Sequence, residues 1–445
     1  MRKSRVLNMT SGNPSWLLAV FALPMLIGNL FQQAYNLVDS IVVGRFVGAS
    51  ALAAVGATGS VTFLFFSICG GISAGCGIVT SQYFGADNGS ATRQAIANAA
   101  YVMFTASLIM GILAFVAAPG VLRLMDTPQD IMRDAVLYMR ISCIGVPLVA
   151  VYNYSSSMLR ALGDSRTPLY FLVFASFMNI VLDLVCVCLL NMGVAGVALA
   201  TIAAQVMAGV GCLIYVFRTN PYFKIPREER RPNGDMIKKS VRLGIPLALQ
   251  WSMIAISTAG LQSFVNSWGT AAVAAFTATS RVEQLVHQPY GSLSTAISTY
   301  AGQNFGAKRM DRVRSGLRHG MIMSAAFSVI MIIVMQLFAD NIVSMFVDDA
   351  EVVRLGAYGL RLTSWFYIFL ATINITRGLL NGIGDALFAF INGIVEVVCR
   401  IGLPLVIVLI PGIGLRSIWW TAGLAWVISA FFCVLRYLMW KRKVK

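Results

Sequence analysis

Four acidic residues interrupt stretches of sequence that are otherwise apolar. These residues are Asp39, Asp183, Glu283 and Glu396. If such a stretch crosses a bilayer, a charge at its centre costs about 2.5–3.5 kcal/mol on insertion scales. An acid in this position is therefore paired with a base, protonated, bound to a cation or facing water.

The first two acids have polar but uncharged neighbours. The amides and hydroxyls at helical spacing or matching depth are Gln32, Tyr35, Asn36, Asn179 and Thr201. The only base inside an apolar stretch of this half is Arg140, near the end of its stretch. Burial disfavours the charged form of a carboxyl, and neighbouring oxygens can instead coordinate a cation. The pattern favours a proton or Na⁺ site at Asp39 and Asp183, with a structural hydrogen-bonded carboxyl as the alternative.

The other two acids have bases close by. Glu396 and Arg400 are four residues apart with the acid first, a spacing that suits an ion pair on one helical face. The further bases of this predicted charge network are Arg281 and Arg377. Two interpretations remain open for Glu283, namely a neutralised polar network or the capture of a cation.

Several polar side chains in apolar stretches could line a substrate cavity. They are Gln32, Asn153, Gln250, Gln262, Asn266, Glu283, His287 and Asn374. Hydrogen bonding between helices is an equally good explanation for the amides. Eight Cys without a CxxC pair and only two His predict neither a zinc site nor a disulfide framework. No cofactor is predicted, and the sequence GxxxxGK[ST] of a phosphate-binding loop does not occur.

Apolar helices must position these residues. Of the 445 residues, 58% are hydrophobic and 12% are charged, against about 25% charged residues in a soluble domain. The runs long enough to cross a bilayer cover about 15–42, 50–80, 95–118, 137–159, 168–190, 194–217, 240–266, 271–302, 320–339, 355–380, 387–410 and 417–440. Backbone in lipid must satisfy its own hydrogen bonds, so all twelve are predicted to be helices. A soluble enzyme and a disordered chain are excluded.

Basic residues are distributed unevenly among the segments between these runs. With the N-terminus inside the cell, cytoplasmic segments hold 24 Lys and Arg when Arg242 and Arg436, near the cytoplasmic ends of their runs, are included, and external loops hold five. This asymmetry predicts that both termini are cytoplasmic. It also accounts for the net charge of +16 without a nucleic-acid partner.

The chain contains an internal repeat. GASALAAVGATGSV (48–61) matches GTAAVAAFTATSRV (269–282) at seven of fourteen positions, at a shift of 221 residues. The same shift relates LRALGD (159–164) to LNGIGD (380–385). Two parallel six-helix lobes are therefore predicted at 1–217 and 240–445, joined by a basic cytoplasmic linker at 218–239, an organisation typical of transporters.

The whole chain resembles the MATE family, the multidrug and toxic compound extrusion transporters, in its bacterial drug-antiporter branch. The matching stretches are AYNLVDSIVVGRFVGASALAAVG (34–56), SQYFGA (81–86), MLRALGDSRTPL (158–169), NIVLD (179–183), QSFVNSWGTAAVAAFTATSRVE (262–283) and RGLLNGIGD (377–385). The resemblance implies an all-α integral membrane protein with twelve transmembrane helices in two pseudo-symmetric six-helix lobes, which form a V around a central cavity.

The resemblance also implies roles for individual residues. Asp39 matches the acid that takes the coupling proton, and Asp183, Asn179 and Thr201 match an ion site beside it. Some relatives carry acids in spans 7 and 10, where this chain has Gln250, Asn374 and Arg377, so a Na⁺ site of that kind is not expected. Glu283 is the candidate for attracting cationic drugs.

We therefore predict a multidrug efflux antiporter of the cytoplasmic membrane. Its partners would be organic cations, H⁺ or less favourably Na⁺, and the lipid bilayer, and it is expected to act as a monomer. One alternative is a lipid-linked saccharide flippase of the same superfamily, and the other is a non-transporting membrane scaffold. No constellation of residues suggests an enzyme.

Overall fold

The computed structural model describes residues 6–125 and 127–443, and the regular structure within these residues is helical. The first seven helices are α1 (Pro14–Val42), α2 (Ala49–Gly85), α3 (Gly89–Leu124), α4 (Gln129–Ala161), α5 (Arg166–Leu184), α6 (Gly193–Thr219) and α7 (Gly234–Asn266). The remaining six are α8 (Thr270–Gly306), α9 (Met310–Ser344), α10 (Ala350–Ser364), α11 (Tyr367–Gly382), α12 (Ala386–Ile407) and α13 (Ser417–Lys443).

All twelve apolar runs are helical, as the sequence predicts. Within the described residues, ten helices are long and apolar enough to cross a membrane by length and composition alone. Two runs fall outside that set. One is the eighth run, which forms α8 and whose polar residues lower its hydropathy. The other is the tenth run. The tenth run is not continuous, because α10 ends at Ser364 and α11 begins at Tyr367.

The backbone repeats with the same shift as the sequence. Residues with positive φ occur in five pairs exactly 221 positions apart. The pairs are Gly48 and Gly269, Asp87 and Lys308, Gly163 and Gly384, Asn191 and Gly412, and Gly193 and Gly414. Side chains with a Cβ adopt such φ values only at a cost, so matched positions indicate that the turns of the two halves share one geometry.

The helices pack as two compact units that do not coincide with the two halves of the repeat. Unit 1 comprises residues 6–9 and Leu23–Ala248, and unit 2 comprises Thr10–Ala22 and residues 249–443. The first helix of each half is therefore divided, because α1 begins in unit 2 and α7 begins in unit 1. Both divisions lie close to a helix-interior proline, Pro24 in α1 and Pro246 in α7.

Small residues attach the first part of α7 to unit 1. Gly71 and Gly75 of α2 lie against the backbone of Ala248 and Gly244 of α7. A methyl group at Gly75 would lie 2.5 Å from the backbone nitrogen of Gly244. The helices can approach this closely only because small residues stand four apart on both faces.

The linker between the halves is ordered against α3. Arg93 forms a bidentate ion pair with Glu229, at 2.5 and 2.7 Å. The backbone N–H of Asn233 donates to Asn98 Oδ1 at 2.8 Å, and Phe223 is buried. The hydrogen bonds from Arg93 hold the pKa of Glu229 below its usual range.

Candidate functional site

The two acids of the first half lie side by side in unit 1. The carboxyl groups of Asp39 on α1 and Asp183 on α5 are close enough to share a hydrogen bond. Asp183 is only 1% exposed. Neither of its oxygens, nor Oδ1 of Asp39, has a donor among the described residues. Two carboxylates are both acceptors, so they can bond to each other only when one carries a proton.

Each of the two acid-bearing helices ends in a local distortion. A π-helical turn, Val43–Val47, follows α1 just after Asp39, and a second, Val185–Leu189, follows α5 just after Asp183. The two turns pack against each other in a small cluster of buried valines. π turns are rare and frequently occur at functional sites. Here they bring the ends of two acid-bearing helices into contact.

Tyrosine and glutamine side chains surround the acid pair. The hydroxyl of Tyr35 lies within hydrogen-bonding reach of Gln32 and Gln205, and Tyr35 and Tyr138 both lie near the two carboxyls. Sequence reasoning missed Gln205 and Tyr138. Gln205 could have been found, because it stands one turn after Thr201 on α6. Tyr138 could not have been found in this way, because no candidate site residue stands one helical turn from it in the sequence of α4.

An amide–hydroxyl contact joins α5 to α6 beside the pair. Asn179 Nδ2 donates to Thr201 Oγ1 at 3.3 Å, and Thr201 donates to the carbonyl of Val197 at 3.0 Å. Asn179 Oδ1 has no donor in the described part of the chain. Asn36 lies apart from this contact, since it is exposed and its carbonyl accepts from Ser40.

The charges of the second half meet in unit 2. Glu396 is 6% exposed and accepts from Arg400 Nη2 at 2.9 Å and from Arg377 Nη2 at 3.5 Å. Arg377 also donates to Asn392 Oδ1. Arg281 is exposed. Glu396 is thus neutralised by two guanidinium groups, one on its own helix and one on α11.

Glu283 occupies a different part of unit 2, on α8. It lies near Thr363 of α10 and Tyr367 of α11. His287, one turn further along α8, has its ring centroid 5.9 Å from that of Trp426. The structure therefore places Glu283 between helices, next to hydroxyl groups.

The remaining cavity candidates fall into different environments. Gln250 is buried, and its Oε1 has no donor in the described structure. Gln262 donates to Asn266 at 2.9 Å on an exposed face of α7. Asn374 donates to the carbonyl of Leu370, one turn back in α11. Asn153 is partly buried on α4.

Comparison with known proteins supports one class of molecule. The MatE family model matches residues 24–185 and 246–406, one copy in each half. The chain is 29% identical over 437 residues to the probable multidrug resistance protein YpnP of Bacillus subtilis, covering 97% of both chains. It is 25% identical over 403 residues to the probable multidrug resistance protein NorM of Thermotoga maritima, covering 89% of this chain and 86% of that protein.

Solved structures share the fold. The outward-facing structure of a multidrug resistance MATE family transporter of the MOP superfamily superimposes with a TM-score of 0.91 at 23% identity, covering 100% of both chains. A MOP superfamily transporter from Pyrococcus furiosus superimposes with a TM-score of 0.90 at 23% identity, covering 100% of this chain and 99% of that one. At this level of identity the likeness establishes the fold.

Proposed function

Because the chain belongs to the MatE family of membrane transporters, we propose that it exports cationic amphipathic compounds in exchange for protons, by alternating access. Multidrug efflux is the general function of its named relatives. The proposal adds the coupling ion and the substrate class. It also assigns the protein to the cytoplasmic membrane with both termini inside the cell, and takes the monomer as the working unit.

The observation that carries the proposal is the pair formed by Asp39 and Asp183. Two adjacent carboxyls without a nearby base cannot both ionise at low cost, so one proton is readily held between them. When that proton leaves, the pair carries an additional negative charge that favours an organic cation. Proton and drug then compete for the same charge, which is the requirement for antiport.

The size of the driving force depends on the number of protons. Exchanging one proton for one monovalent cation moves no net charge, so one pH unit supplies about 1.4 kcal/mol, or a tenfold drug gradient. A second proton would double this contribution and add the membrane potential, about 2.3 kcal/mol per 100 mV.

The test is dye efflux from proteoliposomes with an imposed pH gradient and no sodium. We expect wild-type protein to transport a cationic dye and Asp39→Asn to lose pH-driven transport, because an amide cannot release a proton. Asp348→Asn, which changes an exposed acid, is the matched control and should transport like wild type. Purified variants are compared at equal reconstituted amounts.

Three results would contradict the proposal in different ways. Equal transport by wild type and Asp39→Asn would make that residue structural. Transport that requires sodium and does not depend on the pH gradient would mean that the carboxyl pair binds Na⁺ in place of a proton. No transport of any cationic dye under either ion gradient would favour a flippase for lipid-linked saccharides.

A further inference from the structure

Unit 2 contains a feature that the repeat does not reproduce in unit 1. At the shift of 221 residues, α4 (Gln129–Ala161) corresponds to the whole of α10 and α11, from Ala350 to Gly382. The first copy is one continuous helix, whereas the second copy breaks between Ser364 and Tyr367. Broken helices at membrane depth are typical of ion and substrate sites in transporters.

Three oxygens from different helices meet at this break. Glu283 Oε1, Thr363 Oγ1 and Tyr367 Oη are inaccessible to solvent and have no hydrogen-bond partner among the described residues. Thr363 and Tyr367 are fully buried. Thr363 lies close to both other residues. Buried polar groups normally have partners, so three unpaired oxygens in one place indicate a site for a further species.

The charge of this cluster is also specific to the second half. The residues 221 positions earlier are Thr62, Ser142 and Val146, none of which can ionise in place of Glu283. Arg400 is a base close enough to Glu283 to act on its charge. Arg400 is already engaged, because its Nη2 donates to Glu396 and its Nη1 to Thr258 at 3.5 Å. Glu283 therefore lacks a direct ion pair.

The surroundings of Glu283 favour a proton over a metal ion. Thr363, on α10, and Tyr367, on α11, offer only two further oxygens. The carbonyl of Thr363 is unavailable, since it accepts from the N–H of Phe366 at 3.0 Å. The guanidinium of Arg400, on α12, opposes a second cation nearby. A proton needs one carboxyl oxygen and one acceptor, and both are present.

We propose that Glu283 is a second proton-binding site, which takes up a proton on Oε1 and donates the new O–H to the hydroxyl oxygen of Thr363 or Tyr367. The uptake breaks no covalent bond and needs no other reactant. The charged groups facing the site are Arg400 and, behind it, Glu396 and Arg377, with His287 on the same helix as Glu283. Uptake changes the summed charge of these two acids and two arginines from zero to +1.

The use of this proton in transport rests on the proposed function, whereas its binding does not. If Asp39 and Asp183 exchange one proton and Glu283 exchanges another, the export of a monovalent cation becomes electrogenic. Dye efflux by wild type should then respond to an imposed membrane potential, and efflux by Glu283→Gln should respond to the pH gradient alone.

The first experiment uses the wild-type protein and a hydrophobic carbodiimide, which reacts with protonated carboxyls in apolar surroundings. The modified peptides are identified by mass spectrometry. We expect modification of Glu283 that decreases as the pH rises, and none of Glu396, which is ion-paired in the same sample. Modification of Asp39 or Asp183 without Glu283 would overturn the proposal.

The second experiment counts protons taken up by purified protein when the pH falls from about 9 to about 5.5, a range in which an ordinary glutamate stays ionised. All variants carry Asp39→Asn and Asp183→Asn, which remove the two acids of the proposed function. The result is therefore independent of whether that proposal is correct. We expect about one proton fewer when Glu283→Gln is added, and no change with Glu228→Gln, an exposed linker residue. Equal uptake in all three variants would overturn the proposal. Glu283→Asp should restore part of the uptake.

Discussion

Two buried carboxyl groups side by side behave differently from either one alone. Asp39 and Asp183 lie beside each other, so protonation of one determines what the other can do. Glu396 shows the opposite arrangement, because Arg377 and Arg400 both form ion pairs with it. A buried carboxyl group thus lies beside a second carboxyl in one unit and beside two guanidinium groups in the other, and the neighbouring side chains make the difference.

Removing one arginine should expose the structural role of the charge network. Arg377→Ala leaves the buried acceptor of Asn392 without its donor and Glu396 with one base instead of two. We expect the free energy of unfolding to fall by about 3–5 kcal/mol, the usual cost of breaking a buried ion pair. The measurement is thermal unfolding in detergent.

Arg281→Ala is the matched control for this prediction, because Arg281 is exposed and should contribute less than about 1 kcal/mol. Equal losses of stability in the two variants would show that the buried network contributes nothing specific.

Among the helices, α2 and α7 approach each other closely. The first part of α7 belongs to unit 1 and its second part to unit 2. The contact with α2 therefore holds the start of the second half of the repeat in unit 1. Gly71 and Gly75 make it possible, since side chains at these positions would meet the backbone of α7. Glycine is retained here despite its cost inside a helix.

Replacing Gly75 should therefore destabilise the protein although alanine is the better helix former. We expect Gly75→Ala to lower the free energy of unfolding by about 1–3 kcal/mol through overpacking. Gly59→Ala, on the same helix with open space around the glycine, should instead raise it by about 0.5–1 kcal/mol. Unfolding of both variants in detergent tests this, and a gain in stability for Gly75→Ala would refute the close crossing.

The ordered linker predicts a pH dependence of its own. The pKa of Glu229 is lowered by its hydrogen bonds from Arg93. The pair therefore stabilises the folded protein at pH values above the ordinary pKa of glutamate. This contribution is lost as the pH falls through the lowered value in the folded protein. The pair is partly exposed, so its worth is about 0.2–1 kcal/mol.

The corresponding experiment compares the stability of wild type and Glu229→Gln across this pH range. The stability difference should be present at neutral pH and vanish in acid. A difference that persisted at low pH would mean that Glu229 acts through packing and not through its charge.

At the scale of the whole molecule, the distribution of basic residues determines orientation. The linker and the segment after α8 are rich in Lys and Arg, so we expect them to lie on the same side of the membrane as the two termini. A fluorescent protein that folds only in the cytoplasm, fused after the C-terminus, should therefore be fluorescent in cells. Absence of fluorescence, with full-length fusion detected in the membrane, would reverse the orientation.

Much of the fold could be predicted from the sequence because the bilayer imposes strong rules. Runs of about twenty apolar residues must be helices, and the 221-residue repeat appears both in the sequence and in the paired turns. The break between α10 and α11 could not be predicted, because its residues are as apolar as their neighbours. The division of α1 and α7 between units also depends on which neighbours each part contacts.

The candidate sites divide in the same way. Sequence alone determined that Asp39 and Asp183 are acids in an apolar region without local bases, because composition and helical spacing are properties of the chain. Tertiary structure alone decided that Tyr138 and Gln205 join them, that Arg377 reaches Glu396, and that Glu283 meets Thr363 and Tyr367. These contacts join residues up to 170 positions apart in the chain. Spacing within one helix carries no information about them, because packing between helices depends on the shapes of all side chains at once.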